Sequence, residues 1–185
     1  MSLTESTMLE LGTLAPEFEL TDVVTDNDVS LDHSRGEKAL LVMFICAHCP
    51  YVKHINEGLA ALGRDYTGEP VAMVAISSND ATTHPGDSPE GLQQQAETFG
   101  FSFPYLYDES QEVAKAYKAA CTPDFFLFDG EFQLVYRGQF DASRPGNGIP
   151  VTGKDLRAAI DLVLAGEPVP TEQHASIGCN IKWKA

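Results

Sequence analysis

A short apolar run that ends in two closely spaced cysteines constrains the fold of this chain most strongly. Residues 39–45 are continuously apolar and rich in branched side chains, which predicts a strand buried on both faces. Cys46 and Cys49 follow, and Pro50 opens a helix-compatible segment that is expected to end at Gly63. The cysteine pair therefore lies where a buried strand passes into a helix.

This Cys-x-x-Cys pair is suited to redox chemistry. A helix N-terminus presents unpaired N–H groups and partial positive charge, and a thiol is readily converted to a thiolate there. Disulfide exchange needs an attacking thiolate and a nearby second thiol. Cys46, which we expect to be the more exposed sulfur, is the candidate nucleophile, and Cys49 is the candidate resolving thiol. His48 lies between them and can offer positive charge or a hydrogen bond to the Cys46 sulfur.

Metal binding is the alternative interpretation of the same residues. Structural zinc takes four protein ligands, and Cys46 and Cys49 with His48 or His54 would supply three. The sequence contains no second Cys-x-x-Cys and no His-x-His. A non-enzymatic metal-binding or metallochaperone protein is thus the less favoured hypothesis, and we expect no metal and no other cofactor.

The rest of the chain predicts an α/β fold around one sheet. Residues 71–77 form a second apolar run, so strand, helix and strand predict a βαβ unit with parallel strands. Hairpins are expected over residues 18–31 and, around the Asp129-Gly130 turn, over residues 125–137. We expect a central mixed β-sheet flanked by helices on both faces, with an N-terminal β-hairpin and a helical insertion.

Two helices have recognisable start signals. Ser88 is the expected N-cap of an insertion helix that runs to Phe99, and residues 152–155 resemble a capping box that opens an amphipathic helix. We expect a single domain over residues 1–185, with a loose lead-in over 1–13 and a C-terminal tail without clear periodicity over 167–185.

Charge and cysteine usage narrow the possible partners and compartment. The chain has 185 residues, 12 Lys plus Arg and 27 Asp plus Glu, for a net charge of −15. Nucleic acid and anionic membrane surfaces would repel such a chain. The N-terminus lacks a basic start and an apolar block, so we expect a cytoplasmic protein. Four cysteines in a chain of this size do not indicate a disulfide scaffold.

The other two cysteines and a Thr-Pro pair are further candidate residues of the site. If the Thr122–Pro123 bond is cis, the Thr122 backbone could form an open edge where a substrate peptide pairs beside Cys46. Cys121 precedes this pair and Cys179 lies in the tail. Both are possible additional redox thiols, although small buried residues are the favoured interpretation. The polar segments near Asn79 and His84–Asp87 are expected to be an ordinary capped loop.

Several segments resemble a known family: MFICAHCPYVK, ACTPDFFLFD, YRGQFDASRPGN and SIGCNIKWK. The order βαβ then ββα, with Cys-x-x-Cys at the first helix and Thr-Pro before the last hairpin, resembles the thioredoxin fold. The N-terminal hairpin and the insertion between Ser77 and Phe103 resemble its redoxin branch, of the alkyl hydroperoxide reductase/thiol-specific antioxidant type. From about Leu14 to Trp183 the chain is similar to bacterial peroxiredoxin-like proteins that carry a Cys-x-x-Cys motif.

The resemblance assigns roles and shows one departure. Cys46 matches the nucleophile, Cys49 the resolving cysteine and Pro123 the cis-proline. Peroxiredoxins place Thr three residues before the peroxidatic cysteine and Pro four residues before that, whereas Met43 and Ala39 occupy those positions here. The resemblance therefore implies a thiol–disulfide oxidoreductase that acts on protein or small-thiol disulfides with a thiol reductant. A thiol-dependent peroxidase with Cys46 as its peroxidatic cysteine is the alternative.

Overall fold

The computed structural model describes residues 2–185 and places most strands in one mixed sheet. In chain order the strands are β1 (Leu3–Glu5), β2 (Glu19–Asp22), β3 (Asp28–Ser30), β4 (Ala39–Phe44), β5 (Val71–Ser77), β6 (Tyr105–Tyr107), β7 (Cys121–Thr122), β8 (Asp124–Asp129), β9 (Leu134–Gly138) and β10 (Ile177–Asn180). Seven of them form the main sheet in the order β3-β2-β6-β5-β4-β8-β9. The helices are α1 (Pro50–Lys53), α2 (Asn56–Asp65), α3 (Pro89–Phe99), α4 (Glu112–Ala116) and α5 (Lys154–Leu164).

Strand β4 lies inside the main sheet and carries the cysteine pair at its carboxyl end. It pairs in parallel with β5 and antiparallel with β8, and all six of its residues are buried. Alternate side chains enter two apolar layers, with Met43 on one face of the sheet and Val42 and Phe44 on the other. The predictions of a buried strand, a parallel βαβ unit and a mixed sheet are confirmed, as are both hairpins.

The helices follow the sequence signals less closely. The segment expected to be one helix from Pro50 is broken at Ile55, whose φ of −111° and ψ of 5° leave the helical region, so α1 is a single turn and α2 continues past Gly63. Ser88 caps α3 as predicted, because its side chain accepts a hydrogen bond from the Gly91 N–H. The prediction of a capping box at residues 152–155 is wrong. Gly153 is the N-cap of α5, and its N–H donates to Asp141 instead.

Three strands form a second, smaller sheet in the order β1-β10-β7. Both of its pairings are antiparallel, with Leu3 opposite Cys179 and Cys179 opposite Thr122. The expectation of a loose lead-in over residues 1–13 is therefore wrong for Leu3–Glu5, and the tail contains a strand that the sequence pattern did not predict. Met1 lies outside the described residues, and the single-domain assignment stays a prediction. No helix within residues 2–185 is both long and apolar enough to cross a membrane.

Candidate active site

The cysteine pair lies at the carboxyl end of β4, directly before α1. Cys49 is the N-cap of that helix and Pro50 takes its first position, which suits a residue without a backbone N–H. Both cysteines have 0 % of their surface exposed. The expectation that the first sulfur is the exposed one is therefore wrong. Cys46 is covered in this conformation, so a disulfide partner must open the site to reach it.

Thr122 contacts both sulfurs of the pair. Its Oγ1 lies 3.5 Å from Cys46 Sγ, and its carbonyl oxygen lies 3.5 Å from Cys49 Sγ. The Thr122–Pro123 peptide bond is cis, as the family resemblance implied. The open edge expected at Thr122 is absent, because this residue pairs in register with Cys179 of β10.

Cys49 is joined to Cys179 by a disulfide bond across 130 residues of sequence. The two Cα atoms are 6.2 Å apart, within the range that a disulfide spans. Cys46 and Cys121 are the unpaired cysteines among the described residues, and both are buried. The predicted partner of Cys46 is thus bonded to a third cysteine in this structure, while Cys46 keeps its thiol.

Asp87 organises the loop between the two cysteines. Its Oδ1 accepts hydrogen bonds from the backbone N–H groups of Ala47 and His48, at 2.8 and 3.0 Å. Its Oδ2 contacts Nδ1 of the His48 ring and accepts a hydrogen bond from Asn79 Nδ2 at 2.9 Å. A carboxylate that is fully buried among four donors is held in one position. It therefore fixes both the backbone and the ring of His48.

The His48 ring is held as a cation next to Cys46. Its hydrogen bond to Asp87, followed by its hydrogen bond to Cys46, raises the pKa of His48 to about 9. Burial alone would raise the pKa of Asp87, but the hydrogen bonds from His48 and Asn79 outweigh it and lower that pKa. At neutral pH the pair is an imidazolium and a carboxylate. The site thus supplies positive charge beside the sulfur at which a thiolate is needed.

The sequence prediction of an ordinary capped loop around Asp87 misses the role of this residue in the site. The signal was present, since the segment from Asn79 onward follows the carboxyl end of β5, where α/β proteins often place ligand-binding groups. His84 from the same loop stacks on His48, with 4.8 Å between ring centroids. This loop is therefore one wall of the site.

A second hydrogen-bonded group holds the backbone at Cys46 from the side of α3. Gln95 Nε2 donates to the Cys46 carbonyl oxygen at 3.1 Å and to Asn56 Oδ1 at 2.9 Å. The Tyr105 hydroxyl donates to Gln95 Oε1 at 2.8 Å. All three side chains are buried, so this network fixes the backbone at the start of the Cys-x-x-Cys loop.

The metal hypothesis fits these residues poorly. Donor atoms of Cys46, His48 and Asp87 all lie within 4.8 Å of one another. Nδ1 of His48 is hydrogen-bonded to Asp87, however, and Cys49, the expected second thiolate ligand, is in a disulfide. Both Asp87 oxygens already accept hydrogen bonds from the protein. The cluster is better described as a hydrogen-bonded Cys-His-Asp group.

The chain matches a known protein family. The sequence profile described as the AhpC/TSA family matches residues 11–137. The chain belongs to the AhpC/TSA family. The match includes the Cys-x-x-Cys loop, Asp87 and the cis Thr122–Pro123 pair. It ends before β10, so the strand that carries Cys179 lies outside the region matched to AhpC/TSA.

Relatives of this AhpC/TSA protein include a named oxidoreductase and a closely similar solved structure. The thiol-disulfide oxidoreductase ResA of Geobacillus kaustophilus is 28 % identical over 137 residues, which are 73 % of this chain and 74 % of that protein. The crystal structure of an uncharacterized conserved protein from the same species is 56 % identical, with a TM-score of 0.98, and the match covers 100 % of this chain and 97 % of the other.

More distant structures show the fold alone. The thioredoxin domain of a Bacteroides vulgatus thiol-disulfide oxidoreductase is 21 % identical, with a TM-score of 0.60 over 71 % of this chain and 89 % of that one. The peroxidoxin BcpB of Mycobacterium tuberculosis is 17 % identical, with a TM-score of 0.60 over 84 % and 94 % of the two chains. The predicted thioredoxin-like fold is confirmed.

The remaining predicted thiol, Cys121, is poorly suited to exchange. It is buried in β7, and its Sγ lies 3.7 Å from the Pro123 carbonyl oxygen. Burial, and then the negative charge of Asp124, raise the pKa of Cys121 well above its usual value of 9.0. A thiol that resists ionisation is a weak nucleophile. The structure therefore supports the interpretation of Cys121 as a small core residue of this AhpC/TSA protein.

Proposed function

We propose that this protein is a thiol–disulfide oxidoreductase in which Cys46 is the attacking thiol and Cys49 resolves the mixed disulfide. Cys46 forms a bond to one sulfur of a substrate disulfide and releases the other sulfur as a thiolate. Cys49 then attacks Cys46, which releases the second substrate thiol. His48 supplies positive charge to the Cys46 sulfur, and Asp87 holds His48 in place.

One observation carries this proposal: the buried Asp87 carboxylate holds the His48 ring within 4.8 Å of the Cys46 sulfur, next to a second cysteine at a helix N-terminus. An imidazolium stabilises a thiolate, and exchange depends on the thiolate form of the attacking cysteine. Thr122, which contacts both sulfurs at 3.5 Å, can orient them. The ResA relative carries the activity in its name, which supports the same assignment.

The proposal also covers the substrates, the reductant and the cellular compartment of the protein. We propose protein or small-thiol disulfides as substrates, with a thiol compound or thiol protein as reductant. Because Cys46 is fully covered, exchange requires movement of the segments around it. The cytoplasmic location suggested by the N-terminal sequence stays a prediction. Nucleic acid remains an unsuitable partner for a chain with a net charge of −15.

Reduction of insulin disulfides by dithiothreitol tests the activity. We expect the wild-type protein to accelerate insulin precipitation and Cys46→Ser to abolish the acceleration. Cys121→Ser is the matched control, because it removes a buried thiol of similar size that lies outside the proposed reaction, and it should keep the wild-type rate. A wild-type protein without activity, or a Cys46→Ser variant with undiminished activity, would exclude the proposed function.

A peroxidase with an antioxidant role is the second candidate. Membership of the AhpC/TSA family and an unpaired Cys46 thiol beside His48 favour it. The side chain three residues earlier is against it, because Met43 is buried in β4 and offers no hydroxyl to hold a peroxide. Stopped-flow reaction of the reduced protein with hydrogen peroxide decides the matter. A rate no faster than that of free cysteine removes this candidate.

A further inference from the structure

We propose that Cys179 is a third redox-active cysteine. Its thiolate displaces Cys46 from the disulfide with Cys49, so that Cys46 is released as a thiolate. This inference rests on the proposed function and adds to it. The two-cysteine reaction ends with a Cys46–Cys49 disulfide. The structure instead contains a Cys49–Cys179 disulfide with Cys46 unpaired. Cys49 is thus a shared partner for two thiols.

The position of Cys179 is fixed by strands on both of its sides. In β10 it lies opposite Leu3 of β1 and opposite Thr122 of β7. Thr122 is the residue that contacts both sulfurs of the Cys-x-x-Cys pair. The register between Thr122 and Cys179 therefore brings the Cys179 sulfur next to the Cys-x-x-Cys pair. The Cα atoms of Cys179 and Cys49 are 6.2 Å apart.

The segments beside Cys179 are also tied to the site. Ser176 Oγ donates to the Pro123 carbonyl oxygen at 2.5 Å. On the other side, the Lys182 N–H donates to Asn79 Oδ1 at 2.8 Å, and the same Asn79 side chain donates to Asp87. The C-terminal segment is thus anchored to the cis-proline turn and to the His48–Asp87 group. These contacts, in addition to the disulfide bond, hold its cysteine at the site.

The proposed step is a thiol–disulfide exchange with no net change in oxidation. Cys179 is buried in this structure, so its thiol loses its proton to solvent when the segments around the site move apart. The thiolate then attacks Cys49 Sγ in the Cys46–Cys49 disulfide. The Cys49–Cys179 bond forms, the Cys46–Cys49 bond breaks, and Cys46 leaves with the electron pair as a thiolate. The two electrons given to the substrate disulfide in the preceding steps are unaffected. A thiol reductant then restores Cys49 and Cys179 to thiols.

The charge around Cys46 favours this direction of exchange. Cys46 departs beside the protonated His48 ring, which stabilises a leaving thiolate. Cys121 cannot substitute for Cys179, because it is opposite Asn180 and its sulfur contacts Pro123 instead. Cys179 is therefore the thiol that the fold makes available to Cys49.

Disulfide mapping after oxidation tests the inference. The fully reduced protein is treated with one equivalent of diamide at pH 7.5, quenched in acid, alkylated under denaturing conditions and digested with trypsin. Cys46 and Cys49 share the peptide 39–53, whereas Cys179 lies in the peptide 158–182. We expect the main product to link these two peptides, with Cys46 alkylated. A disulfide confined to the peptide 39–53, with Cys179 alkylated, would overturn the inference.

Three variants separate this inference from the proposed function. Cys179→Ser should form the Cys46–Cys49 disulfide within peptide 39–53, and Cys121→Ser should give the wild-type linkage. Cys46→Ser should still link Cys49 to Cys179, which tests the pair without disturbing the C-terminal strand. If Cys46→Ser forms no such link while wild-type protein reduces insulin, the proposed function stands and the role of Cys179 fails. If insulin reduction fails while the link forms, the proposed function fails, and only the redox activity of the Cys49–Cys179 pair stands.

Discussion

The buried carboxylate of Asp87 binds His48 twice, through the ring Nδ1 and through the backbone N–H. The backbone contact measures 3.0 Å, and a parallel contact to the Ala47 N–H measures 2.8 Å. The ring contact is the main reason that the pKa of His48 rises to about 9. Asp87 thus sets the shape of the Cys-x-x-Cys loop and the charge of the residue inside it.

Asp87→Asn should separate these two effects. The amide oxygen of Asn can keep the backbone hydrogen bonds, but the negative charge is lost, so the pKa of His48 should fall from about 9 towards its usual 6.5. If it reaches 6.5, the protonated fraction at pH 7.5 drops about tenfold, and the exchange rate should drop with it. NMR titration of the His48 ring measures the pKa, and insulin reduction measures the rate.

The raised pKa of His48 also predicts how the stability of the fold depends on pH. In the wild type, the folded-state pKa of His48 lies above its unfolded value, so the charged ring stabilises the fold fully below about pH 6.5, and that stabilisation is lost as pH rises through 9. In Asp87→Asn, this pH-dependent loss of stability should be absent. Asp32→Asn, which removes an exposed carboxylate elsewhere, is the control. An unchanged His48 titration in Asp87→Asn would contradict the assignment.

The sequence predicted those parts of the site that depend on local patterns. The apolar run of β4, the cysteines at its end and the Thr-Pro pair are each visible in a few consecutive residues, and the structure brings them together. Asp87 was missed because its role depends on a contact with Ala47, which lies 40 positions earlier in the chain. A single acidic residue in a polar loop has no periodicity that would reveal such a contact.

The C-terminal strand was missed for a related reason. Ile177–Asn180 is only four residues long and pairs with strands from the opposite end and from the middle of the chain. A strand this short has too few residues for alternation to be recognised. Its pairing is fixed by distant partners, which a single sequence does not reveal. The sequence therefore indicates a possible redox role for Cys179 but does not identify its partner.

Gly178→Ala should displace the C-terminal strand from the site. A Cβ atom at this position would lie 1.9 Å from the Thr122 carbonyl oxygen and 2.8 Å from its carbon, so the backbone of β10 or β7 must move. We expect a loss of about 1–3 kcal/mol in the free energy of unfolding, as for other overpacked sites. The yield of the Cys49–Cys179 disulfide should also fall.

Denaturant unfolding and peptide mapping measure these two effects. Gly86→Ala is the matched control, because a Cβ there meets only the His48 Cβ, at 3.8 Å. Wild-type stability together with a wild-type yield of the Cys49–Cys179 disulfide in Gly178→Ala would show that the strand does not hold Cys179 in place.

A second buried carboxylate, Asp124, lies directly after Pro123 and has no part in the proposed reaction. It begins β8 with 0 % of its surface exposed. Among residues 2–185, neither carboxylate oxygen makes a hydrogen bond of good geometry, although Ser6 and the backbone at Ala120 and Phe125 oppose the effect of burial on its pKa. Burial raises the pKa of Asp124 from 3.8 to about 7, because water that would solvate the charged form is excluded.

Asp124→Asn should therefore change how stability depends on pH. For a carboxyl whose pKa is raised in the folded state, the unfolded chain loses its proton first, so wild-type stability falls as pH rises from about 4 to about 7 and the penalty is constant above that. A shift of this size corresponds to a difference of about 4 kcal/mol between the two ends of the range. The Asp124→Asn variant has no charge to bury, so its stability should not fall over this pH range.

Urea unfolding at pH 4, 5.5, 7 and 8 measures the free energy of unfolding of both proteins, with the exposed Asp26→Asn as control. If the wild type and Asp124→Asn show parallel pH profiles, Asp124 does not titrate as its burial implies.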